Sequence, residues 1–563
     1  MVDSAKFFNM SEVEANGISD LRIELFSKHY YGSLANYSQS EFETAKILGQ
    51  FYTHYNVADT MIDNLFEVLR SDFEHISIID PFCGDGRLIV SFLRKIASAN
   101  PLCEVSITVW DIDEKAVGLA KTNIANASVQ YGIKVNVCAE VTDAFARYYE
   151  KQHFYDVCIT NPPWSILKPQ KSFTEQHNEE AHEEFKQAIA LYDSYIKEEF
   201  SVSQPTAKFG KWGTNLARCG TEVALRLVKH NGYCSIVSPA SLLSDQVSGK
   251  FRAWIFNHFC LSHINYYLAE AKLFGAADVN SVSLLFKSSD EYTDIQVQTF
   301  DSSLNSSKYT IARNEFEYIR DNSFIFPLET GISIISCLKL LDSLPTLGSS
   351  EIGLKFCREL DETRVHERLR MEGDYLFIKG YMIDRFSYNP TPIQYADTDK
   401  CVITESCQQE RIVWRDVSRN SQTRRVKATI APAKTIAGNS LGVTYLQKYD
   451  SSKLRYLLAI MNSIVFESQA RALLVTNHVS AGVIKKIHIP VLKPEIESQL
   501  VPLVEKRLNG DYSVEPYIES LVALNYGLPI QMFLSLSKRY YDDNLEYAAL
   551  CRVAEETFNG VVL

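Results

Sequence analysis

Residues 76–86, Ile-Ser-Ile-Ile-Asp-Pro-Phe-Cys-Gly-Asp-Gly, constrain the fold more than any other stretch. A short apolar run without polar alternation reads as a strand buried on both faces, the habit of parallel sheets. The run ends in Asp80 and a turn with two glycines, and Arg87-Leu-Ile-Val-Ser-Phe-Leu-Arg94 continues as an apolar-faced helix. Strand, tight turn and helix start together make a nucleotide-type binding corner, with backbone N–H groups free where the helix begins. The expected class is α/β with a mostly parallel sheet.

Two more strands end in reactive-looking turns. Val105–Trp110 runs into Asp111-Ile112-Asp113, which puts a carboxylate where a ribose hydroxyl pair would be held. Tyr155–Thr160 runs into Asn161-Pro162-Pro163-Trp164, so an amide sits on a stiff turn at a strand's C-terminal edge, where open α/β sheets bind ligands. The prolines leave carbonyls free to accept, and an aromatic ring follows at once. Acceptor oxygens beside a stacking ring suit an exocyclic amino group on a nucleobase. Taken singly, such a tetrapeptide is ordinary loop punctuation and an acid at a strand end is mostly solvated charge. In this order and spacing they form a site.

The pattern also excludes. A dinucleotide fingerprint needs a third glycine three residues after Gly86, where Ile89 stands, and no Gly-Lys-Ser/Thr phosphate loop is present. A ribose with no pyrophosphate cradle fits S-adenosylmethionine.

These motifs, in this order, resemble the gamma class of DNA adenine-N6 methyltransferases, the group that includes the Taq-I-like enzymes, over most of the chain. The resemblance implies a Rossmann-like S-adenosylmethionine-dependent methyltransferase domain followed by a C-terminal α/β target-recognition domain and a helical tail. Gly49-Gln-Phe-Tyr-Thr53 resembles the family's first cofactor motif, with His54 where proline is usual. Asp80–Gly86 matches its glycine loop. By resemblance the cofactor residues are Tyr52, Thr53, Asp80, Cys83, Gly84, Gly86, Asp111, Ile112 and an acid near the cofactor adenine. That acid is Asp143 or Glu140; Asp143-Ala-Phe145 is closer to the motif. Leu227–Pro239 resembles the family's late helix, glycine turn and strand. The catalytic set implied is Asn161, Pro162, Trp164 and, as a second aromatic against the target base, Phe274.

The chemistry follows from the residue types. An adenine amino nitrogen has its lone pair delocalised into the ring, and no side chain deprotonates it at neutral pH. If Asn161 and the Pro162 carbonyl each accept one amino hydrogen, the lone pair is freed to attack a methyl-sulfonium in line, by positioning and electrostatics alone. The target lies inside duplex DNA, so the nucleotide must be turned out, with Trp164 stacking on it.

Charge locates the expected DNA surface. The chain carries a formal −12, yet residues 411–490 hold 13 Lys/Arg against 3 Asp/Glu, a local +10 that leaves −22 elsewhere. A charge run is commonly a solvated face. Beside a base-methylating site it reads as a phosphate-facing one. The expected DNA contacts are Arg411, Trp414, Arg415, Arg419, Arg424, Arg425 and Lys427. By resemblance Asn477 and His478, within Thr476–Ser480, and Lys485-Lys486 also lie near DNA.

At 563 residues and 46% hydrophobic composition the chain suggests several domains. The expected divisions are an N-terminal helical arm, 1–45; a catalytic domain, 46–344; a recognition domain, 345–500; and a helical tail, 501–563. A polar stretch at about 170–210 is a lid, a DNA-facing arm or an ordinary surface helix. No apolar run of membrane-spanning length and no signal-like N-terminus is evident, and the 12 cysteines are scattered singly, so a cytoplasmic protein with reduced thiols and no metal is expected. Expected partners are double-stranded DNA and a separately encoded restriction endonuclease, with the chain a monomer. The rival readings are an RNA or protein-glutamine methyltransferase, which share the Asn-Pro-Pro-aromatic turn, and a DNA-binding modification subunit that needs partners for activity.

Overall fold

The computed structural model describes residues 18–38, 40–70, 73–168, 179–205, 213–245, 247–275, 277–289, 291–328, 334–361, 369–399, 401–474, 477–541 and 543–560. Two compact units divide the chain, Met1–Ile325 and Phe326–Leu563.

The first unit is organised by a nine-stranded sheet of β1 (His75–Asp80), β2 (Glu104–Asp111), β3 (Val135–Val141), β4 (Tyr155–Thr160), β5 (Val228–Pro239), β6 (Cys260–Tyr267), β7 (Ser281–Lys287), β8 (Ile295–Phe300) and β9 (Ser306–Ile311). Their order is β3-β2-β1-β4-β5-β7-β6-β8-β9. The first five pair in parallel, and β7 runs antiparallel between β5 and β6. Strand order reverses between β1 and β4. In open α/β sheets such a reversal leaves a crevice beyond the strands' C-terminal ends, and here those ends are Asp80, Asp111 and Thr160.

The helices of this unit are α1 (Ile18–Tyr37), α2 (Glu41–Leu48), α3 (Tyr55–Val68), α4 (Arg87–Ala99), α5 (Glu114–Tyr131), α6 (Ala144–Arg147), α7 (Glu179–Glu199), α8 (Leu216–Leu227) and two shorter ones beyond them, Gly249–His258 and Arg313–Asp321. α4 buries Leu88, Ile89, Phe92, Leu93 and Ile96 at helical spacing against the sheet. Its N-cap, Gly86, sits at φ 78, and a Cβ there would come within 3.0 Å of Ala120 on α5. Only glycine gives both the left-handed turn and the close helix approach.

α1 packs along α7, so the expected N-terminal arm is part of this unit from Ile18 onward. The polar stretch expected at about 170–210 is α7 over its described middle, with Phe185, Ala188, Ile189, Tyr192 and Ile196 buried; 169–178 and 206–212 lie outside the described residues.

The second unit begins earlier than the expected 345. Leu344-Pro-Thr-Leu-Gly-Ser-Ser350, at the expected boundary, is an internal turn: Leu347 N–H donates to the Ile487 carbonyl at 2.9 Å, and Leu341, Leu347 and Ile352 enter the unit's main core. Helices Pro494–Leu508, Glu515–Asn525 and Asn544–Phe558 enter the same core through Leu500, Val504, Leu521 and Leu550, so the described helices of the expected tail are part of this unit.

The basic stretch requires the largest correction. Strand Arg411–Arg415 lies between Ala428–Ala431 and Leu441–Leu446 and is buried on both faces as far as Trp414. Arg411 is 0% exposed and binds Glu359 through Nε and Nη2, both at 2.7 Å. Trp414 is likewise 0% exposed, its Nε1–H donates to the Val479 carbonyl, and a Cβ on Gly442 would strike its ring at 2.1 Å. Arg424 pairs with Glu519 at 2.7 Å, and Arg425 is buried with its guanidinium on the Ser418 carbonyl. Arg411, Trp414 and Arg425 are therefore interior residues and cannot form a DNA-contacting surface, and Arg424 is 9% exposed. Arg415 is half-buried, donating to the carbonyls of Gly380 and Ile383, and Lys427 is held by Asp384 at 2.9 Å. Arg419, Asn477 and His478 are exposed; Thr476 lies outside the described residues.

Candidate active site

A cavity opens at the C-terminal ends of the first unit's strands, lined by Tyr52, Thr53, Cys83, Gly84, Asp111, Ile112, Asp143 and Asn161 together with Phe82, Phe145 and Pro163. Most residues picked out by the sequence motifs thus meet in one place, because each ends a parallel strand or opens the segment after one. Asp111 is oriented by the Gly84 N–H (2.9 Å) and Asp113 N–H (3.1 Å). Burial pushes its carboxyl above the usual range, and those backbone donors oppose the shift.

Asp143, at the N-cap of α6, accepts three hydrogen bonds: from Phe145 N–H (2.9 Å) on one oxygen, and from the Ser27 and Tyr192 hydroxyls (2.7 Å each) on the other. It is thereby tied to both α1 and α7. Burial raises its pKa against those three donors. Glu140 does not line the cavity.

The Asn-Pro-Pro-Trp turn is held from behind by the segment 49–53. The Asn161 Nδ2–H donates to the Phe51 carbonyl at 2.7 Å, and Trp164 N–H donates to the Gly49 carbonyl at 3.1 Å. A carbonyl can only accept, so the Phe51 bond fixes which end of the amide points where. Asn161 Oδ1 is left buried with no hydrogen-bond partner. An orphaned buried acceptor costs roughly 1–3 kcal/mol, a cost that a bound donor removes. Gly49 sits at φ 68, and a Cβ on it would lie 2.7 Å from Ser165 N and the Trp164 carbonyl carbon. On the far side, a Cβ on Gly220 of α8 would meet Pro162 Cβ at 2.4 Å. His54, standing where proline was expected, has φ −65 and caps α3 by accepting from Asn56 N–H. That φ is the one proline would impose, so the turn survives the exchange.

Residues 21–200 match the family model described as N-6 DNA Methylase. The chain carries an N-6 DNA methylase domain. The Type II methyltransferase M.VspI of Vibrio sp. (strain 343) is 27% identical over 162 residues, 29% of this chain and 33% of that protein, so the match spans a third of that relative's length. Among solved structures, the Type IIL restriction-modification enzyme MmeI, in complex with DNA, aligns over 96% of this chain and 78% of its own at 12% identity, with a TM-score of 0.52. The type IIG restriction endonuclease BpuSI aligns over 95% and 68%, at 14% identity and a TM-score of 0.43. The N-6 DNA methylase domain has the Rossmann-like, mostly parallel fold expected, with motifs in the gamma-class order.

Five expected site residues of the first unit, Asp80, Gly86, Pro162, Trp164 and Phe274, do not line the cavity. Asp80 is 0% exposed and lies beneath the cavity floor, accepting from Thr160 Oγ1 (2.7 Å) and Phe82 N–H (3.2 Å); burial pushes its pKa up to about 7. Gly86 caps α4 and does not line the cavity. Phe274 is 4% exposed, in the apolar core, its ring centroid 4.7 Å from that of Trp164 and tilted 45°. The two rings are in direct contact and leave no slot for a base between them.

Sequence reasoning missed the supports. Arg87 donates to the Thr53 carbonyl (2.8 Å), pairs with Asp85 (2.6 Å) and lies 5.0 Å from the Tyr52 ring centroid, clamping the first motif to the glycine loop. Ser27 and Tyr192 are likewise invisible as site residues, because their partner Asp143 is remote in sequence. Among the described residues no group of three His, Cys, Asp or Glu side chains could hold a metal ion, and no helix is long and apolar enough to cross a membrane.

Proposed function

We propose that this chain transfers a methyl group from S-adenosylmethionine to N6 of an adenine turned out of duplex DNA. The observation that carries the reading is Asn161: a buried amide clamped by the Phe51 carbonyl, with its oxygen unpartnered beside the cavity. That oxygen is the acceptor an amino group needs. Among the described residues, no backbone donor reaches the Pro162 carbonyl either. Asn161 Oδ1 takes one amino hydrogen and the Pro162 carbonyl the other, which localises the nitrogen lone pair without prior deprotonation; once methylated the nitrogen is cationic and loses one of those two protons to water, leaving neutral N6-methyladenine. The rigid turn holds that geometry before the base arrives. Trp164 provides the stacking face, worth roughly 1–3 kcal/mol, against a few kcal/mol for unstacking.

The donor set fits an adenosine-bearing cofactor. Asp111 would hold the ribose hydroxyls, Asp143 the adenine amino group, and Tyr52, Thr53, Cys83, Gly84 and Ile112 would line the remainder. When bound, S-adenosylmethionine supplies an electrophilic methyl group on a sulfonium. We further propose that the chain acts as a monomer in the cytoplasm and protects DNA from a separately encoded restriction endonuclease, a reading supported by the Type II methyltransferase and restriction-modification enzymes it is similar to.

Nucleoside analysis by mass spectrometry, on DNA from cells expressing either the parent chain or Asn161→Ala, tests the reading. N6-methyladenine above background with the parent and none with the variant is expected. Methylated cytosine, or methylation unaffected by the variant, would overturn it.

A further inference from the structure

Among the described residues three carboxylates line the first unit's cavity, Asp85, Asp111 and Asp143, against a single cation, Arg87. In the proposed reading Asp111 and Asp143 face the ribose and the adenine, and Asn161 stands where the methyl group must arrive. S-adenosylmethionine has a further charged end, an amino acid bearing an ammonium and a carboxylate. The ammonium has acidic walls to face. The carboxylate, in a cavity whose balance is negative, needs donors of its own.

The glycine loop has little to offer it. The N–H groups of Phe82, Cys83, Gly84, Gly86 and Arg87 already donate, to Asp80, the Trp110 carbonyl, Asp111, the Cys83 carbonyl and Asp85 in turn. The Arg87 side chain has donors to spare. Its Nε and Nη2 bind Asp85 side-on at 2.9 Å and 2.6 Å, and Nη1 binds the Thr53 carbonyl at 2.8 Å. Each terminal nitrogen of a guanidinium carries two hydrogens, so one on Nη1 and one on Nη2 stay uncommitted. The side chain is 22% exposed and lines the cavity, so a ligand can reach it. The Tyr52 and Tyr55 rings brace the guanidinium, their centroids 5.0 Å and 5.2 Å away.

We infer that Arg87 binds the carboxylate at the amino-acid end of the cofactor, and so selects S-adenosylmethionine over adenosyl sulfur compounds that lack that group. Its two spare donors match the two oxygens of a carboxylate, and a bond with charge on both sides is the strong kind. Asp85 is the positioning residue, aiming the guanidinium and raising its pKa. The inference deepens the S-adenosylmethionine reading proposed above and rests on it.

Calorimetry on the full chain tests it with three ligands: S-adenosylhomocysteine, its decarboxylated analogue, which keeps the ammonium, and methylthioadenosine, which lacks the amino acid altogether. In the parent, removal of the carboxylate is expected to weaken binding about tenfold or more. In Arg87→Gln the first two ligands should bind alike, whatever their absolute affinities. A loss shared equally by all three ligands, the mark of a purely structural clamp on Thr53, would overturn the inference. Equal affinity of the parent for the first two ligands would overturn it as well, and that comparison holds even if Arg87→Gln fails to fold, as read by its melting curve. Both of those results leave the cofactor reading standing. A parent that binds none of the three ends the cofactor reading itself and takes this inference with it.

Discussion

Gly49→Ala probes the account at a cavity-lining residue that has no side chain to offer the proposed chemistry. The added Cβ would stand 2.7 Å from Ser165 N and the Trp164 carbonyl carbon and 2.8 Å from Trp164 N. Ordinary carbon contacts begin near 3.5 Å, so about 0.8 Å of movement is required. The obstructing atoms are backbone and cannot swing aside. The shift falls on the two bonds that hold the turn, Gly49 O to Trp164 N–H and Phe51 O to the Asn161 amide. Misplacing a reacting group by about 1 Å costs about a hundredfold in rate. The left-handed φ of 68 adds a conformational penalty of roughly 1–2 kcal/mol for alanine, a few degrees in Tm for a unit of this size. Single-turnover methyl transfer to DNA and thermal scanning measure the two effects separately. Transfer within twofold of the parent would refute the argument that the segment 49–53 sets the position of Asn161.

Other perturbations have defined outcomes. Ser27→Ala and Tyr192→Phe each remove one donor from Asp143 and should weaken S-adenosylmethionine binding about tenfold by calorimetry, at about 1.5 kcal/mol per charged hydrogen bond; unchanged affinity in both would dismiss Asp143 as a cofactor contact. Asp80 is raised by burial from 3.8 to about 7, so the folded state holds a proton in that window that the unfolded state releases. Its contribution is therefore fully present below about pH 4 and is lost as pH rises towards 7, by about 4 kcal/mol. Asp80→Asn should flatten that part of the stability profile in denaturant titrations, and an unaltered slope would contradict it. Arg411→Ala should cost about 3–5 kcal/mol by stranding Glu359, whereas Arg419→Ala should leave the melting temperature within a degree or two; equal melting temperatures would restore Arg411 to the surface.

What was legible in the sequence was local. Apolar runs ending in Asp80, Asp111 and Thr160 fix strands and their C-terminal turns within a few residues of chain, and parallel pairing then brings Gly84, Asp111, Asp143 and Asn161 to one sheet edge. The second unit was misread for the converse reason. A charge count over residues 411–490 cannot see Glu359 or Glu519, which lie outside the window and neutralise Arg411 and Arg424. Nor does composition tell a basic face from a strand buried on both sides. Phe274 failed similarly: an aromatic at a suitable distance along the chain can as well be core, and here it is. The supports at Ser27, Arg87 and Tyr192 act through partners 34 to 116 residues away, beyond any local pattern.

The central claim is that the Asn161 oxygen awaits an adenine amino group. Purified protein incubated with tritiated-methyl S-adenosylmethionine and unmethylated DNA, RNA and protein in parallel tests it most directly. The account predicts label in DNA alone, recovered as N6-methyladenine and absent with Asn161→Ala. Label in RNA or protein instead, or DNA label that survives the loss of Asn161, would contradict it.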